Sequence, residues 1–128
     1  MSSTKELTST FCQILKDFLN DIYMSYPDPK LLVFQQATNA MVMANPLGVV
    51  ENFMKSVSKY SDKILTKDEA FFIEGGLEEH IQGEYSFLTE ELKKITNIWK
   101  DPKTPLKTKN SIWKYLQILV KLGQKIVA

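Results

Sequence analysis

The sequence predicts an all-α protein, a compact antiparallel bundle of five or six helices forming a single domain over residues 1–128. Three observations carry that expectation. Apolar residues recur at steps of three and four through most of the chain, the spacing that lines one side of a helix. Helix starts are marked by capping boxes and by proline in a first turn. No stretch alternates apolar and polar residues for long enough to make a half-buried strand. With 128 residues, 44% of them apolar and 24% charged, the chain can close one core and has an ordinary globular composition.

The first capping box, Ser3-Thr4-Lys5-Glu6, predicts a helix over 4–24. Its apolar stripe runs Leu7, Phe11, Ile14, Leu15, Phe18, Leu19, Ile22 and Tyr23, while Lys16, Asp17, Asn20 and Asp21 take the other side; Pro27 and Pro29 end it. Asp28 caps a second helix over 29–44, with Pro29 in its first turn and Leu31, Leu32, Phe34, Ala37, Ala40, Met41 and Met43 as its apolar positions. Between Leu31 and Leu47 there is no Lys, Asp or Glu, so this helix is expected at the centre, surrounded by the others. Asn45-Pro46 repeats the cap-plus-proline signal for a third helix over 46–61, carrying Val49, Val50, Phe53, Met54, Val57 and Tyr60.

A second capping box, Thr66-Lys67-Asp68-Glu69, leads a short turn over 67–73 that Gly75-Gly76 stops, and another short segment covers 77–82. Ser86 or Thr89 starts the fourth long helix, 86–100, with Leu88, Leu92, Ile95, Ile98 and Trp99 on its apolar side and Asp101-Pro102 at its end. The last helix, 105–127, carries Leu106, Ile112, Trp113, Leu116, Leu119, Val120 and Ile126. Lengths of this order joined by short loops favour antiparallel neighbours.

The residue inventory argues against catalysis. A metal site needs several converging ligands, and the chain offers one histidine and one cysteine. Glu78-Glu79-His80 sets carboxylates beside the imidazole, but adjacent helical positions diverge by about 100° and chelate poorly. His80 with Glu78 or Asp68 would form an acid–base pair only if folding brought them together. Cys12 follows Phe11 in an amphipathic helix, the setting of a structural thiol rather than an activated nucleophile. No GxxxxGK[ST] or GxGxxG pattern occurs, so no nucleotide loop is expected. No catalytic residue, metal ligand or cofactor is assigned.

Met1 to Glu6 lacks a basic segment followed by an apolar run, and no 18-residue apolar stretch occurs, so neither secretion nor membrane spanning is expected. A lone cysteine suits a reducing compartment, and an intracellular location fits.

Charge is the least ordinary feature. All sixteen basic residues are lysine, so no guanidinium fork exists for bidentate contact with phosphate or guanine. Residues 66–91 carry one lysine and eight carboxylates, a charge of −7, and residues 92–128 carry nine lysines and Asp101, a charge of +8. Either the two stretches compensate each other within the fold or the basic tail meets an acidic partner. The candidate partner-binding residues are Lys100, Lys103, Lys107, Lys109, Lys114, Lys121 and Lys125. Nucleic acid is one such partner, with salt-sensitive and sequence-independent affinity. Trp113, Leu116, Val120 and Ile126 among lysines also allow a basic amphipathic tail for a groove or membrane surface, although aromatic residues at helical spacing usually belong to a core.

The order of Ala44-Asn45-Pro46, Asp68-Glu69-Ala70-Phe71-Phe72, Ile98-Trp99 and Ile112-Trp113-Lys114-Tyr115-Leu116 resembles that of small helical proteins of large nucleocytoplasmic DNA viruses. That resemblance covers residues 30–125 and implies a viral origin and a virion or host-interaction role. The wealth of Lys, Ile, Asn, Phe and Tyr, all read from AT-rich codons, agrees with it. Together these readings lead to a non-enzymatic protein–protein interaction or structural module that self-associates or assembles with a protein partner through complementary acidic and basic surfaces. The alternative is a nucleic-acid-binding accessory protein using the lysine-rich last helix.

Overall fold

The computed structural model describes residues 3–73 and 89–127. Within them the chain forms α1 (Thr4–Ser25), α2 (Pro29–Ala44), α3 (Pro46–Val57), a 3₁₀ turn (Ser58–Tyr60), α4 (Ser61–Leu65), α5 (Glu69–Ile73), α6 (Thr89–Lys100) and α7 (Leu106–Val127). The all-α expectation is met, with no strand among the described residues.

Local chemistry explains the starts. Ser3 Oγ accepts from the Glu6 amide at 3.1 Å, Asp28 Oδ1 from the Lys30 amide at 2.8 Å, and Asn45 Oδ1 from the Gly48 amide at 3.1 Å. Each satisfies one of the amides that a first turn leaves without an intrahelical acceptor. Gly48 is needed for the third cap, because a Cβ there would come within 2.5 Å of the Asn45 amide nitrogen. At the second capping box the cap falls two residues later than expected: Asp68 Oδ1, not Thr66, accepts from the Phe71 amide at 3.1 Å. Thr66 instead donates its hydroxyl to the Asp62 carbonyl, closing α4, and Lys67 takes the left-handed conformation at φ 55° that turns the chain.

The core collects around α7. Ile112, Trp113, Leu116, Leu119 and Val120 are buried, and α7 packs on α1, α3, α4 and α6. Contacts at each end fix the directions: Phe18 stacks on Tyr115 while Tyr26, eight residues on, donates to Thr104, so α1 and α7 are antiparallel. Likewise Met54 meets Gly123 while the Ile64 and Leu65 carbonyls accept from Gln117, so the α3–α4 limb also runs against α7. Gly123 permits the closest approach, since a Cβ there would lie 2.3 Å from Met54 Sδ. Trp99 of α6 stacks on Trp113 with ring centroids 4.2 Å apart and planes 14° from parallel. Phe11 and Phe53 join α1 to α3 edge to face at 5.2 Å.

Three further expectations change. The uncharged α2 is not central: it packs mainly on α1 and α3, and its buried positions are Leu31 and Thr38. Val33 and Met43 are 65% and 86% exposed. Leu106, expected on the apolar stripe of the last helix, is 72% exposed in that helix's first turn, at the margin of the stripe formed by Ile112, Trp113 and Leu116. The third helix breaks at Val57 into a 3₁₀ turn that redirects the chain into α4. The segment 77–82 and the start at Ser86 lie outside the described residues.

The Trp99–Trp113 stack ties α6 to α7, and α6 packs on α5 as well. Trp99→Ala is expected to lower unfolding free energy by about 3–5 kcal/mol, measured as a shifted denaturant midpoint. Thr38 tests the opposite sign. It is fully buried, and its hydroxyl finds no hydrogen-bond partner among the described residues. Thr38→Val, which keeps the shape and removes the stranded hydroxyl, should raise stability by about 1 kcal/mol in the same titration.

Candidate interaction surfaces

Because the apolar side of α7 faces inward, its lysines have a defined outward direction. Lys107, Lys114, Lys121 and Lys125 are separated by seven, seven and four residues, which places them within about 40° of one another around the helix axis. All four are exposed. They form one row along α7 about 27 Å long, at a rise of about 1.5 Å per residue. Lys100 and Lys103 lie at the α6–α7 connection, Lys100 in the last turn of α6, where a cation suits the helix dipole. Lys109 is turned away from the row and half-buried, 3.8 Å from Glu69.

That ion pair joins the acidic and basic stretches, which also pack together where α5 meets α6. Asp68 also pairs with Lys63, at 3.4 Å, and the Lys63 ammonium stands 5.4 Å from the centre of the Phe71 ring. Most of the acidic stretch, including Glu78, Glu79 and His80, lies outside the described residues.

Beside the lysine row, α1 and α7 leave an open groove of about 270 Å³ lined by Phe18, Asp21, Tyr26, Lys107, Ser111 and Tyr115. The Tyr115 hydroxyl donates to Asp21 Oδ2 at 2.5 Å across its floor. This hydrogen bond, with burial and the negative charges of Asp21 and Asp17 behind it, pushes the Tyr115 hydroxyl up to about 12. Asp21 and Lys114 line one shallow pocket with Ser111, Tyr115 and Ile118, so a carboxylate borders the row near its centre.

The second surface is the outer side of α2. Val33, Gln36, Ala37, Ala40, Met43 and Ala44 are all exposed, and their spacing puts them on one stripe that carries no charge beyond Lys30 at its start. Sequence periodicity missed it because both sides of α2 are uncharged. Side-chain size was the available signal, since the inward positions hold Leu31, Phe34, Met41 and Val42 and the outward ones hold three alanines.

No family model, curated protein or solved structure matches this chain. The functional reading therefore stands on the surfaces themselves.

Cys12 is buried at 3% exposure, with its thiol directed at the Pro46 carbonyl 3.8 Å away. Burial raises its pKa, only partly opposed by Lys16, so the reactive thiolate is disfavoured. No group of three or more metal-ligating side chains forms among the described residues. Trp113, Leu116 and Val120 are core residues, which removes them from any membrane-binding or groove-binding tail. No helix among the described residues is long and apolar enough to cross a membrane.

The Tyr115–Asp21 bond favours the protonated phenol in the fold. Its contribution is present below the ordinary tyrosine value of about 10 and is lost as pH rises through the folded value. An ultraviolet titration of the five tyrosines should show one ionising near 12. Asp21→Asn should bring that ionisation back toward about 10 and Tyr115→Phe should remove it.

Proposed function

We propose that this chain is a non-enzymatic protein–protein interaction or structural module that binds through its exposed helix faces. The observation that carries this reading is the uncharged outer face of α2. In a chain that is 24% charged, a helix side with no charge from Val33 to Ala44 and with Val33 and Met43 largely in solvent is a patch that gains by being covered. An inert surface helix would carry the lysines and carboxylates found on the outer side of α1 and α7. The resemblance to viral helical proteins extends the proposal to a virion or host-interaction role.

A photo-crosslinking amino acid placed at Met43 tests it in the native source. Covalent capture of a protein, whether another copy or a different chain, is expected there, and its absence removes the reading.

The lysine row supports a second reading, a nucleic-acid-binding accessory protein. Lys107, Lys114, Lys121 and Lys125 in one line suit a phosphate backbone, and the absence of arginine makes contact diffuse rather than base-specific. Under this reading, affinity for random-sequence duplex DNA falls steeply with salt, and Lys107→Glu/Lys114→Glu/Lys121→Glu abolishes the gel shift. No shift at low salt with the wild-type chain would sink it.

A further inference from the structure

We propose that the groove between α1 and α7 receives an extended acidic peptide, with two carboxylates three residues apart seated on Lys107 and Lys114 and an apolar side chain between them. This goes beyond the reading of the chain as an interaction module through α2, which takes no part in the groove, and names a partner class at a second face.

The groove is longer than one pocket. The part beside Lys107 and the part beside Lys114 share Asp21, Ser111 and Tyr115, so they run on from one another along the antiparallel helix pair. At the Lys107 end Phe18, Ile22 and Ile112 form an apolar wall, and Met24 beside them is 70% exposed. An apolar side chain laid there takes the Met24 surface out of water.

Charge selects the occupant. Lys63 and Lys109 pair with Asp68 and Glu69, whereas Lys107 and Lys114 have no carboxylate partner among the described residues. Seven residues separate these two cations, about 10.5 Å along the axis of α7. The stretch of groove shared by both parts holds the Asp21 carboxylate, fixed by the Tyr115 hydroxyl, and the Ser111 hydroxyl on the facing helix. The groove therefore offers a positive group, a hydrogen-bond acceptor carrying negative charge, and a second positive group.

An extended peptide in the polyproline-II conformation has the complement. Its residues i and i+3 lie on one side about 9.3 Å apart, and the amides between them have no internal hydrogen bond and are free to donate to Asp21. A helical ligand lacks those donors, because its interior amides are taken by its own turns. A nucleic-acid strand carries a phosphate at every step, and one of them would face the Asp21 carboxylate.

The test is an NMR titration of the full chain with the capped peptide Gly-Asp-Leu-Ala-Asp-Gly, with helix content followed by circular dichroism. The amide signals of Met24 and Ser111 should move, with a dissociation constant of about 1 mM or below. Gly-Leu-Asp-Asp-Ala-Gly, which has the same composition with its carboxylates adjacent, should bind about tenfold more weakly. Lys107→Gln/Lys114→Gln should lose about as much for the first peptide, at unchanged helix content. Asp21→Asn should also weaken binding, because a carboxamide oxygen is a poorer acceptor than a carboxylate. No movement of the two signals overturns the inference. Equal binding of the two peptides, or tighter binding by Asp21→Asn, overturns it as well, because either result reports a surface that responds to negative charge alone. Displacement of the peptide by random-sequence single-stranded DNA at matched charge overturns it in favour of nucleic acid. Capture at Met43 reports on α2 independently, so a failure of the groove leaves that reading standing.

Discussion

The rest of the structure depends on the packing of the apolar side of α7 against α1 and α3. That helix supplies a buried partner to four others, and each connection uses a different chemistry. Met54 enters the space left by Gly123, Gln117 donates to the last carbonyls of α4, Tyr115 binds Asp21 and stacks on Phe18, and Trp113 stacks on Trp99. Because interiors are close-packed, changing any of these side chains moves more than one helix. The Tyr26–Thr104–Ile98 chain of hydrogen bonds closes the same end, with Thr104 donating to the Ile98 carbonyl at 2.7 Å and accepting from Tyr26 at 3.3 Å.

Committing one side of α7 to the core also fixes what the other side shows. The lysines at 107, 114, 121 and 125 cannot turn inward without a large desolvation cost, so the core residues themselves align the basic row. The same constraint acts in reverse on α2. With α1, α3 and α7 already covering one another, α2 lies against α1 and α3 and turns its small, uncharged side outward. The molecule thus presents two surfaces of opposite character on helices that share no substantial contact.

Much of the fold was legible because its signals are local. Caps at Ser3, Asp28 and Asn45 act within three residues, and the stripe from Phe11 to Ile22 needs only the helical repeat to be read. Reading failed where two neighbouring groups could do the same job. Thr66 and Asp68 both qualify as caps, and the carboxylate, the stronger acceptor, took the amide while the threonine hydroxyl turned back on α4. Leu106 belongs to the stripe by its type, but it stands at the stripe's margin in the first turn and is left in solvent.

The sequence by itself determined the helical class, most of the helix boundaries and the opposite charges of the two stretches from 66 to 128, because propensity, capping and composition act over a few residues. Only the tertiary structure decided that α7 and not α2 is the axis, that four of the seven candidate lysines share one row, and that Lys109 leaves it for Glu69. Helical periodicity distinguishes sides only when they differ in polarity. On α2 both sides are uncharged, and which one is covered depends on the volumes of residues brought from distant parts of the chain.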